Sequence, residues 1–174
     1  MALHVGLTAG DPDIADEHIA AVIADEGYPQ PTVTRAEFEQ ALAKELAARD
    51  IGLVCLAGFN RILSPFFIQR YPHKVINIHP SLLPAFAGLQ GMQVHEAVIA
   101  AGVKITGCTV HFVTEDVDAG PIIVQRAIPV REGDTAESLA IRVLVEEHQA
   151  YPEAVRLFCA GKLEVRGRTV RVIS

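Results

Sequence analysis

IGLVCLA at residues 51–57 is almost wholly apolar and too short to be a buried helix, and KVINIH at 74–79 reads as a second central strand. A strand with one wet face alternates apolar and polar residues, whereas a run like the first suits a strand covered by helices on both faces. Between the chain start and the first run lies Thr34-Arg35-Ala36-Glu37, a capping-box pattern. It opens a helix through about Arg49 with Phe38, Leu42 and Leu46 on one face. Alternating strands and helices of this kind predict an α/β fold, a mostly parallel twisted sheet with helices on both faces.

The remaining segments fit that frame. LHVGL (3–7) reads as a strand ending in the turn residues Ala9-Gly10-Asp11-Pro12. Residues 14–26 carry Ile14, His18, Ile19, Val22 and Ile23 at helical spacing, stopped by Gly27. Ser64-Pro65 starts a short helix by cap and first-turn proline. A proline-broken loop over 80–88 precedes a helix over about 92–101 that ends at Gly102. Two β-rich runs, 106–114 and 122–130, flank the turn-like EDVDAGP and predict an antiparallel excursion. Asp134 or Thr135, with Glu137 after it, caps a long helix to about Ala160 with a kink at Pro152. Residues 162–165 and 169–173 flank Arg166-Gly167-Arg168, a closing hairpin.

Composition narrows the function. With 174 residues the chain is expected to form one domain over 1–174. Fifteen Lys and Arg against 21 Asp and Glu give a net charge of −6, which supplies no clustered basic surface for nucleic acid. Cys55, Cys108 and Cys159 are far apart, so neither a disulfide framework nor a metal site is expected, and each is read as a small buried hydrophobe. The first residues lack a basic region followed by an apolar run, and no apolar stretch reaches membrane-spanning length. The chain therefore reads as cytoplasmic, acting on small molecules without nucleic acid or membrane partners.

In open α/β sheets ligands bind beyond the carboxyl ends of the strands, here residues 58–63 and 77–84. Asn77 and His79 are two apart on a strand, so both side chains leave from one face. The amide can hold a developing oxyanion and the imidazole can move a proton. On residue types alone, a turn-satisfying Asn and an ordinary strand-end His are the more usual explanation of the pair. Glu115, Asp116 and Asp118 crowd the later loop; such a loop is commonly just solvated, but a carboxylate brought beside His79 would raise its pKa and orient it.

These residues resemble a known family. NIHPSLLPAF (77–86), GCTVHFVTEDVDAGPII (107–123), LAGFNRILSP (56–65) and EEHQAYP (146–152) are similar to glycinamide ribonucleotide formyltransferase of de novo purine synthesis. The Asn-x-His-x-Ser-Leu-Leu-Pro block followed by Asp-x-Gly-Pro is specific to the formyl-folate transferase and hydrolase superfamily. The resemblance implies a Rossmann-like formyltransferase fold with an antiparallel C-terminal part, and direct formyl transfer from 10-formyltetrahydrofolate to a primary amine. It implies catalytic roles for Asn77, His79 and Asp118, with His79 protonated and charged by Asp118. The cosubstrate would lie against Phe59, Arg61, Ile62, Leu63 and Ile68, with the backbone of Glu115, Asp116 and Val117. Pro80 and Glu147 would meet the amine substrate, and no metal is implied. Plain core packing explains Phe59, Leu63 and Ile68 as well, and solvated surface explains Glu147. His111 lies beside the site in the family pattern, though a structural role explains it too; His4, His18, His73 and His95 are read as surface. Pairing into a homodimer is compatible, since some members pair and others do not.

The first fifty residues depart from the family. A Gly-Asn-Gly-Ser-Asn-type loop, whose backbone amides hold phosphate at a helix start, has no counterpart here. Residues 1–50 are read as shortened, aligning with the family's second strand–helix unit, or as a remodelled first unit with Thr8-Ala9-Gly10 in the loop's place. Leu89-Gln90-Gly91-Met92 departs too, where members carry Gly-x-His. Three rival readings follow: formyltetrahydrofolate hydrolase, another formyl-folate transferase, and a folate-binding remnant without turnover.

Overall fold

The structure, a computed structural model, describes residues 20–23, 34–59 and 61–173. Two compact units divide inside one strand, the first ending at Asn77 and the second starting at Ile78. In the first unit, β1 (Ala20–Ile23), β2 (Leu53–Leu56) and β3 (Val75–His79) are parallel, β2 lying between the other two. Residues 20–23 fall inside the segment expected to be helical, and this expectation is corrected. An uninterrupted apolar run such as AAVI satisfies helical and strand patterns alike, and pairing with β2 decides for the strand. The strand expected at 3–7 lies outside the described residues, as does the Thr8-Ala9-Gly10 stretch.

Helix α1 (Arg35–Ala48) begins as its capping box requires: Thr34 Oγ1 accepts from the Glu37 N–H, and the Glu37 carboxyl accepts from the Thr34 N–H at 2.7 Å. Its Leu42 and Leu46 are buried together with Leu53, Val54, Val75 and Ile76 of the strands. Full burial of each such side chain contributes about 1.5–3 kcal/mol relative to exposure. Helix α2 (Pro65–Arg70) places Phe67 in this core, its ring centroid 5.0 Å from that of Tyr71.

In the second unit, β4 (Ile105–Phe112) and β5 (Ile122–Pro129) form the antiparallel pair that the sequence predicts. The hairpin of β6 (Leu163–Arg166) and β7 (Thr169–Val172) joins β5 through a parallel pairing of β7. Helix α3 (Met92–Ala100) packs against α4 (Ala136–Cys159), which covers β4 and β5 and continues through Pro152. The cap of α4 is Thr135, and its partner three residues on is Ser138, not Glu137.

Candidate active site

His79 ends β3 and is 4% exposed; Asn77, two residues before it, is half-buried and leaves the strand from the same face. The loop after His79 is pinned by side chains from β4 and β5. Thr109 Oγ1 donates to the Ser81 carbonyl at 2.7 Å and accepts from the Leu83 N–H at 3.0 Å. Gln125, facing Thr109 across the β4–β5 ladder, donates from Nε2 to the Leu83 carbonyl at 3.0 Å. Ser81 Oγ donates to the Ala85 carbonyl at 2.6 Å, and the Leu83–Pro84 bond is cis. Held this way, Phe86 adopts φ 60° and sets its carbonyl 3.2 Å from His79 Nε2.

The other ring nitrogen faces the acidic loop. Asp118 Oδ2 lies 3.4 Å from His79 Nδ1 and accepts the Gly88 N–H at 2.8 Å. Asp118 Oδ1 lies 3.8 Å from His111 Nε2, too long for a hydrogen bond but close enough for charge to be felt. His111 is 2% exposed, with Nδ1 3.0 Å from the Phe112 carbonyl, and follows an irregularity in the β4–β5 register. Bulges of this kind re-aim side chains beside sites.

Two local features place Asp118. It takes φ 52°, a left-handed conformation that Asp tolerates better than most residues. Gly120 lets the loop return against β4, since a Cβ there would sit 1.7 Å from the Phe112 carbonyl oxygen.

The electrostatics correct one expectation. Asp118 does raise the His79 pKa, as does the Phe86 carbonyl, but burial disfavours the charged ring more strongly and the net direction is downward. The same cause lowers His111 and His95. His95 is corrected from surface to interior: it is 6% exposed, beside Val94 on the buried side of α3, and its Nδ1 has no hydrogen-bond partner. His73 is exposed as expected, and His4 and His18 lie outside the described residues. Burial pushes the Cys108 thiol to about 12, and Cys55 is buried too. Cys159, expected in the interior, is only half-buried near the end of α4.

The other candidate residues divide between the units. In the first, Phe59 and Arg61 are half-buried, Leu63 and Ile68 are buried, and Ile62 is 55% exposed. In the second, Glu115, Asp116 and Val117 are exposed and Pro80 and Glu147 are half-buried. Glu147 is not the solvated residue its isolated position suggests, because burial pushes its carboxyl up. Sequence reasoning missed the backbone partners Phe86 and Gly88, and it missed Thr109 and Gln125. Thr109 lies two residues before His111 on β4, opposite Gln125 in the ladder, and that proximity in sequence was the available signal. Among the described residues, no group of three or more His, Cys, Asp or Glu is arranged to hold a metal.

Comparison with known proteins accords with this geometry. The family model described as formyl transferase matches residues 9–155. The Gallus gallus trifunctional purine biosynthetic protein adenosine-3 is 50% identical over 132 residues, covering 76% of this chain and 13% of that protein. Phosphoribosylglycinamide formyltransferase of Bacillus subtilis is 42% identical over 128 residues, covering 74% of this chain and 64% of the relative. The crystal structure of glycinamide ribonucleotide transformylase 1 from Symbiobacterium toebii superposes with a TM-score of 0.77 at 51% identity, covering 81% of this chain and 65% of that one. A formyltetrahydrofolate deformylase from Pseudomonas syringae gives the same TM-score at 29% identity, over 84% and 48% of the chains. The chain thus spans about two thirds of the length of the B. subtilis relative and of the S. toebii structure, and a small part of the trifunctional protein. With the match to the formyl transferase model running through most of its length, and the Rossmann-like formyltransferase fold shared with these structures, the chain belongs to the formyl transferase family.

Proposed function

We propose that this chain transfers the formyl group of 10-formyltetrahydrofolate to the primary amine of glycinamide ribonucleotide. The observation that carries the reading is the buried His79–Asp118 pair, 3.4 Å apart, in a chain about half identical to purine-biosynthetic relatives. The residues suit a flat, polar-edged cosubstrate. In the first unit Ile62, 55% exposed, and in the second Val117, 46% exposed, are each apolar side chains of the kind a folate ligand covers, and the 115–117 segment offers exposed backbone. Phe59, Arg61, Leu63 and Ile68 supply the remainder of the folate side.

In the reaction a carbon–nitrogen bond forms between amine and formyl carbon, and the bond from that carbon to the folate nitrogen breaks. One proton leaves the attacking nitrogen and one reaches the departing nitrogen. Burial favours the neutral His79 ring; with its proton on Nδ1 toward Asp118, Nε2 is bare once substrate displaces the Phe86 carbonyl and takes the first proton there. The imidazolium so formed is stabilised by Asp118 at Nδ1 and delivers the proton onward. Asn77 donates its amide to the oxygen that gains charge. Pro80 and Glu147 face the amine substrate, Glu147 toward its hydroxyl groups.

We further read residues 51–174 as the folate and catalytic part of the chain. Cys55, Cys108 and Cys159, all free thiols, support a cytoplasmic setting, and no helix among the described residues is long and apolar enough to cross a membrane. Steady-state assay of tetrahydrofolate release tests the reading. Release that requires glycinamide ribonucleotide is the expected result. Equal release without the amine favours the hydrolase, and binding of folate without release favours the remnant.

A further inference from the structure

We infer that Glu39, with its neighbour Phe38, is a positioning residue for the folate-side loop, holding the stretch before α2 in its binding shape. The inference rests on the assignment of Arg61, Ile62 and Leu63 to folate. Glu39 sits in the second turn of α1 and is 1% exposed, among the most deeply buried polar side chains of the first unit. One carboxyl oxygen accepts the Ser64 N–H at 2.7 Å, and the other accepts the Ser64 hydroxyl. Burying a carboxyl group is unfavourable unless it is bonded, so the fold gains from this arrangement only while Ser64 stays in place.

The use made of Ser64 is unusual. As the N-cap of α2 its hydroxyl is expected to serve its own helix, yet the cap carries no side-chain hydrogen bond. Its hydroxyl is given instead to a carboxyl 25 residues earlier. Next to Glu39, the Phe38 ring lies 4.9 Å beneath the Arg61 guanidinium carbon, within cation–π range. The two adjacent α1 residues therefore grip both ends of the Arg61-Ile62-Leu63-Ser64 stretch. Leu63 points into the core while Ile62 is left exposed, as a ligand-facing side chain needs to be.

The test compares wild type with Glu39→Leu, Glu39→Gln and Phe38→Leu, measuring kcat and the KM of each substrate separately. In parallel, binding of 10-formyltetrahydrofolate is measured without the amine. Glu39→Leu is expected to raise the folate KM and dissociation constant about tenfold or more, as loss of a bonded charged group implies. The amine KM and kcat should stay within about threefold of wild type, a split that general loss of structure does not produce. Glu39→Gln keeps an acceptor for the Ser64 N–H and is expected to recover most of the loss. Unchanged folate parameters in Glu39→Leu, or equal changes in both substrates, overturn the inference. Should Glu39→Leu yield no folded protein, Phe38→Leu and Ser64→Ala decide: a selective rise in folate KM supports the role, and no rise overturns it. A wild-type chain that binds folate without turnover contradicts the proposed reaction, while the binding comparison still judges Glu39. A wild-type chain that neither binds nor turns over folate overturns both.

Discussion

Burial and charge pull the His79 imidazole in opposite directions, and burial prevails. The proposed base therefore stays deprotonated to lower pH than an unperturbed imidazole. The acid limb of the kcat/KM profile is expected below pH 6.5. Asp118→Asn removes a contribution that raises the pKa, so this limb should move to still lower pH while kcat falls about 100-fold. A limb that stays put or moves upward contradicts the assignment. Glu147 behaves in the opposite sense, its carboxyl pushed up by desolvation. A raised folded-state value means its stabilising effect is complete below about pH 4.5 and is lost as pH rises through the folded value. Glu147→Gln is therefore expected to raise Tm at pH 7 and leave it unchanged near pH 4, even as it weakens amine binding; a lower Tm at pH 7 argues against a desolvated carboxyl. At this scale Asn77, His79 and Asp118 were legible because their side chains sit in a motif. The Phe86 carbonyl and the Gly88 N–H were not, because every residue carries such groups and only the path of the chain selects them. His95 was misread because one histidine among the apolar residues of a helix carries no sign of which face turns inward.

Between β4 and β5 the loop depends on a position without a side chain. At Gly120 a methyl group would overlap the Phe112 carbonyl, which is backbone and has little freedom to yield. Gly120→Ala is expected to lower stability by about 1–3 kcal/mol in urea unfolding and to displace Asp118, so that kcat falls more than folate affinity does. Wild-type stability and kcat together in that variant contradict the packing described here. Most elements were readable from local chemistry: the α1 capping box, the apolar β2 run and the shorter β3 run, the β-rich runs of β4 and β5 and the Arg166-Gly167-Arg168 turn. The exceptions have physical causes. Residues 20–23 satisfy two periodicities, and the choice between them comes from pairing with β2, which is distant in sequence. The α4 cap took Ser138 as its partner because the reciprocal bond requires a spacing of three from Thr135.

Across the whole molecule, a formyl transferase match from 9 to 155 coexists with coverage of about two thirds of the B. subtilis relative and the S. toebii structure. The parallel strands of the first unit and the antiparallel ladder of the second follow the alternation and the later β-rich runs of the sequence. The division within β3 does not show in composition, because a continuous strand carries no linker signal. What ties the levels together is the proposed proton transfer at His79, with Asp118 3.4 Å from its Nδ1. The most direct measurement is kcat and folate affinity of His79→Ala, set beside wild type under amine-saturating conditions. A loss in kcat of about 10²–10⁴-fold, with folate affinity within about threefold, is the predicted result. Turnover close to wild type in a folded His79→Ala protein would contradict it.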